Sequence, residues 1–159
     1  MITDPSGDWT KPVALRWNAC GEGEALVLSL PAYRPDLIER LARRLGARFC
    51  DFRRSRLIPL GWSAASLPLH ALDDAVDEEM ADGLPVVLHN SEALLSLVTP
   101  AARKVWFAEI LRKAWPAKLL LPLVLYTCDL PDEATGRTVM LEPDDLPPET
   151  LLDRLSGLA

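Results

Sequence analysis

Three short apolar runs limit what this chain can fold into: "ALVLSL" (25–30), "LPVVLHN" (84–90) and "KLLLPLVLYT" (118–127). None alternates apolar with polar residues, so each reads as a strand buried on both faces, the pattern of a parallel sheet covered by helices. The longest is about half of what a membrane span requires. "KLLLPLVLYT" is the most hydrophobic and takes the centre of the sheet, although Pro122 has no N–H for a ladder bond.

Helical patterns lie between these runs. "DLIERLARRLG" places Leu37, Leu41 and Leu45 on one face, widened by Ile38 and Ala42. Pro35 suits its first turn, and Gly46 its left-handed stop. "SLPLHALDDAVDEEMADG" reads as an acidic amphipathic helix with Leu69, Leu72, Val76 and Met80 in register. "TPAARKVWFAEILRKAW" opens on Thr99 as N-cap with Pro100 behind it. "RFCDF" (48–52) and "GRTVMLE" (136–142) read as further strands, and "PVALRW" (12–17) as a short one ended by the turn "NACGEGE". "RRSRLIPLGWS" is irregular, and "PPETLLDRLSGL" reads as a C-terminal helix.

The class is therefore α/β: three layers, with a mostly parallel five-stranded sheet and helices on both faces. Only "CDLPDEATG" separates the run ending at Thr127 from the last strand. A parallel crossover needs roughly a dozen residues, so the last strand is expected to be antiparallel. Residues 1–11, with Pro5 and Gly7, form an N-terminal arm, and residues 12–159 form one domain.

Hydrophobic residues at 49% and charged residues at 25% are globular proportions. A net charge of −6 excludes nucleic-acid binding by the chain as a whole and leaves room for a local basic face or a basic protein partner. Cys20, Cys50 and Cys128 are dispersed and form no CxxC pair, which fits a reducing cytoplasm. "MITDPSGDW" lacks the basic and apolar regions of a signal peptide.

The order strand, loop, helix and later an apolar strand ending in polar residues is the skeleton of a P-loop NTPase. The stretch "LVLSLPAYRPDLIERLARRLGA", with its "LARRLGA" helix end, and the later "PVVLHNSEALL" resemble the small BrxF-like P-loop proteins of BREX phage-defence systems. The resemblance covers roughly residues 25–145 and implies a P-loop-like fold and an antiviral-defence setting. Aligned on that helix end, Leu28 and Tyr33 fall on the two loop glycines, Arg34 on the lysine and Pro35 on the Ser/Thr. His89 falls on the metal-linked aspartate and is followed by Asn90, Ser91 and Glu92.

These replacements remove the chemistry. A phosphate cradle needs inward-turned N–H groups, which glycines permit. Arginine differs from lysine in reach and shape, proline has no hydroxyl for magnesium, and an imidazole does not replace a hard carboxylate beside Mg²⁺. No ATP hydrolysis and no cofactor are expected. The expected role is a non-catalytic, pseudo-NTPase-like scaffold or adaptor, working through protein contacts in a larger assembly.

Two alternatives stand beside it. Arg34, Arg53, Arg54 and Arg56 could form an anion or nucleic-acid patch on the same sheet edge. Cys50, His89 and Cys128 could meet there as a metal or thiol site, though no short ligand spacing marks them. Trp9 and Trp62, in irregular segments, are the interface candidates.

Overall fold

The computed structural model describes residues 7–149. Helix α1 (Thr10–Ala19) precedes β1 (Ala25–Ser29), α2 (Pro35–Leu45) and β2 (Arg48–Asp51). A π-helical turn (Arg53–Leu57) and a 3₁₀ stretch (Ile58–Ser66) lead to α3 (Ala71–Glu79) and β3 (Val86–His89). The short α4 (Glu92–Leu95), α5 (Pro100–Arg112), β4 (Leu119–Leu123) and β5 (Thr138–Met140) complete the order. The five strands form one parallel sheet in the order β2-β3-β4-β1-β5.

Strand alternation divides the core in two. Val27, Leu88 and Leu121 pack with Leu72 and Val76 of α3 and with Phe107 and Ile110 of α5. Leu26, Leu28, Val87 and Leu120 pack with Val13 and Trp17 of α1 and with Ile38 and Leu41 of α2. Each fully buried leucine or phenylalanine contributes about 1.5–3 kcal/mol relative to exposure. β4 is central, as its hydrophobicity predicts. Its carbonyls at Lys118 and Leu123 point to β3 and β1 respectively, which places the ring nitrogen of Pro122 on the β3 side. The β3–β4 register ends at Leu120, where Pro122 has no N–H to offer as the next bond to β3.

Two strand expectations are corrected. "PVALRW" lies inside α1, where Val13 and Trp17 are buried one helical turn apart and the Asp8 carboxylate accepts hydrogen bonds from the backbone and hydroxyl of Thr10. Helix α1 therefore begins within the segment assigned to the arm. Residues 1–6 of that arm, and most of the C-terminal helix "PPETLLDRLSGL", lie outside the described residues.

The last strand is parallel, not antiparallel: Val27, Leu28 and Ser29 register with Thr138, Val139 and Met140. The run "KLLLPLVLYT" stops being a strand at Leu123, which lengthens the link to β5 to residues 124–137. That suffices for a crossover, and two 3₁₀ turns (Thr127–Asp129 and Asp132–Arg137) carry the chain past β1. Among the described residues no helix is long and apolar enough to cross a membrane.

The turn before β1 is fixed by close approach. Gly23 has φ +79°, and a Cβ there would stand 2.5 Å from the carbonyl oxygen of Trp115, which anchors the entry to β4. Gly83 has a similar φ of +78° with open space around it. Gly83→Ala is expected to lose about 1 kcal/mol of urea-unfolding free energy, from backbone strain alone. Gly23→Ala is expected to lose about 2–4 kcal/mol, because backbone must shift as well. Equal losses at the two positions would contradict the close packing of this turn.

Candidate functional site

The carboxyl ends of the parallel strands bring together the β1–α2 loop, the end of β2 and the end of β3, the edge where ligands of open α/β sheets bind. Leu28 is not in the loop. It is a fully buried residue of β1, in register with Pro122 and Val139. Pro35 is the first residue of α2.

Tyr33 is half exposed, and its ring stacks on the His89 imidazole with centroids 5.5 Å apart and planes 17° from parallel. Phe49 of β2 packs on the same imidazole at 5.5 Å. Arg34 turns away from this edge: its guanidinium holds the Asp36 carboxylate by two bonds of 3.2 and 3.1 Å and donates to the carbonyl of Pro147 at 2.7 Å. With 7% of its surface exposed, it is a tether between the start of α2 and the segment after β5.

His89 is buried, and its Nε2 has no hydrogen-bond partner among the described residues. Burial pushes its pKa below the ordinary imidazole range, against a smaller upward pull from the Asp51 carboxylate in register across β2. Asn90 follows with φ +64°, a conformation that asparagine tolerates, and its side-chain amide donates to Asp51 Oδ1 at 2.9 Å. The same oxygen accepts the backbone N–H of Arg54. The fully buried Ser91 hydroxyl also lacks a partner, so Ser91 and His89 do not form a nucleophile–base pair.

Glu92 points the other way along the edge. Its carboxylate accepts the N–H groups of Val124 (3.1 Å) and Leu125 (2.5 Å), and burial raises its pKa despite those donors. A carboxylate engaged by two backbone donors is not presented to a metal.

The other candidate sets do not assemble. Cys50 and His89 are on neighbouring strands but face opposite cores: Cys50 packs with Val86 and Leu88, and His89 with Phe49 and Tyr33. Burial pushes the Cys50 thiol up to about 11, the reverse of an activated cysteine. Cys128 is exposed, in the link after β4. Among the described residues no three His, Cys, Asp or Glu side chains are grouped closely enough to hold a metal.

The arginines also divide. Arg34 is buried with Asp36, Arg56 bonds Glu78 at 2.7 Å and Glu79 at 3.5 Å, and Arg54 is engaged through its own N–H with Asp51. Arg53 is exposed at the start of the π turn. Trp9 is half-buried against the core of α1 and α2, whereas Trp62 is wholly exposed.

Sequence reasoning missed the bond from the Asn90 amide to Asp51, which ties the end of β3 to the π turn. It also missed the buried pair of Arg103 and Asp129 (2.7 Å), which is capped by the carbonyls of Leu95 and Val98 and by the Tyr126 ring 4.1 Å from the guanidinium. A charged residue within "PAARKVWFAEIL" is the one visible signal, and it does not name its partner. Comparison of the chain with protein-family models, with curated proteins and with solved structures found no match.

The buried imidazole sets a pH dependence. Its folded-state pKa is depressed, so the unfolded chain binds more protons, and stability falls as pH drops through and below about 6.5. His89→Phe keeps a ring against Tyr33 and Phe49 and removes the titrating group. Its urea midpoint is expected to fall less than the parent's between about pH 7.5 and about pH 5.5. Identical slopes for the two proteins would contradict a neutral buried His89.

Proposed function

We propose that this chain is a P-loop-like α/β domain that does not turn over nucleotide and acts as a scaffold or adaptor through protein contacts in a larger assembly. Phage defence is the setting that its resemblance implies. The observation that carries the proposal is the Tyr33–His89 stack. In a working P-loop the β1–α2 loop faces a metal-linked carboxylate across a space for phosphate and Mg²⁺. Here two side-chain rings meet across that line, and the one loop cation is committed to Asp36.

The strand order supports the skeleton, since β2 and β3, which carry Cys50 and His89, are neighbours with their carboxyl ends beside the β1–α2 loop. The exposed Trp62 supports a contact role, because tryptophan is enriched among the residues that dominate binding energy. Nucleic-acid binding through the four arginines is the weaker reading, as two of them are neutralised by named carboxylates.

Calorimetric titration with ATP and with GTP in the presence of Mg²⁺ is expected to show no heat of binding at millimolar nucleotide, and a phosphate-release assay no turnover. Saturable binding with turnover would contradict the non-catalytic reading.

A further inference from the structure

The segment between β2 and α3 leaves large apolar side chains in water. Ile58 and Leu60 are 60% and 42% exposed, and Trp62 is 100% exposed. Beside them a cavity of about 330 Å³ opens between this segment and α3. The buried Phe52 and Ala75 line it, together with Leu60 and Leu67. The space suits one large aliphatic or aromatic side chain, and the exposed residues extend the apolar surface beyond it. Such a patch is what a partner's amphipathic segment covers.

Charge identifies the kind of partner. Helix α3 carries Asp73, Asp74, Asp77, Glu78 and Glu79 and no lysine or arginine. Asp73 is taken by the indole N–H of Trp106 and Asp77 by Lys113. Asp74 and Glu78 are the two carboxylates lining the cavity, and both side chains are about two-thirds exposed, at 67% and 70%. Facing them, Arg56 is the one lining cation among the described residues, and it is shared between Glu78 and Glu79; Asp74 lies 3.9 Å from His70. The groove is thus apolar within and acidic at its rim.

We propose that this groove binds a basic amphipathic segment of a partner protein. One large apolar side chain enters the cavity, and Lys or Arg residues about a turn away on the same face pair with Asp74 and Glu78. A second copy of the chain is disfavoured, because an isologous contact would set two acidic rims together. The proposal rests on the protein-contact reading above and adds the partner's chemistry.

The test uses the full chain and two fluorescein-labelled amphipathic peptides, one built from Lys and Leu and its counterpart from Glu and Leu. The Lys/Leu peptide is expected to bind saturably in anisotropy titrations, with amide NMR shifts confined to residues 52–78. Asp74→Asn with Glu78→Gln should weaken it about tenfold, the sum of two exposed charge pairs. Trp62→Ser, at a position that supports no packing, should weaken it without changing the folded spectrum.

Equal binding of the Glu/Leu peptide, shifts elsewhere on the molecule, or an isotherm indifferent to these variants would overturn the proposal. So would a concentration-dependent dimer lost in Trp62→Ser, which would give the groove to a second copy. The two readings fail separately. ATP turnover defeats the non-catalytic reading without moving the peptide isotherm, and absence of Lys/Leu binding defeats the groove without altering the nucleotide titration.

Discussion

The Glu92 carboxylate, by accepting the N–H groups of Val124 and Leu125, decides where β4 stops. A sixth or seventh residue of that apolar run would otherwise extend the strand. With its backbone donors taken, the chain leaves the sheet and reverses through Tyr126 at φ +65°, and it has residues enough to cross β1. The Arg103–Asp129 pair then fixes the start of this crossover against α5. β5 reaches the far side of β1, which becomes an interior strand, and the loop after β1 is held at the edge where β3 ends. Breaking a buried pair such as Arg103–Asp129 leaves an uncompensated charge, so this corner tolerates little change.

At that edge side chains fill the space between the β1–α2 loop and the end of β3. Leu28 belongs to the strand, Pro35 begins the helix, and Arg34 ties α2 to the chain after β5. Tyr33 covers His89, whose burial keeps it neutral, and Asn90 and Asp51 lock the turn beside it. Two polar atoms, His89 Nε2 and Ser91 Oγ, remain unpartnered there.

The sheet was legible because unbroken apolar runs admit few alternatives, α2 and α5 because the stop at Gly46 and the cap at Thr99 agree with their 3.6-residue spacing, and α3 by its spacing. The misreadings were local. "PVALRW" is ambiguous over six residues, and the Val13–Trp17 spacing, with the Asp8 carboxylate bonded to the N–H of Thr10, tips it to helix. The orientation of β5 turned on where β4 ends, which depends on a carboxylate 32 residues away in sequence. The proximity of Cys50 to His89 was expected, but strand pleating sends adjacent positions to opposite faces. The arginines divide for a related reason: sequence shows the charges of Arg34 and Arg56 but not that Asp36, Glu78 and Glu79 take them. The exposure of Trp62 was legible, since it lies in a stretch without apolar periodicity.

The end of β3 and the β1–α2 loop close on each other through Tyr33 and His89. The chain has two histidines, so the imidazole Cε1 protons give a two-signal NMR spectrum in which His89 can be followed directly. The account predicts an upfield, ring-shifted His89 signal that protonates only below the ordinary imidazole range and stays in place under excess Mg²⁺–ATP. An unshifted signal with ordinary titration, or one that moves saturably with nucleotide, would contradict it.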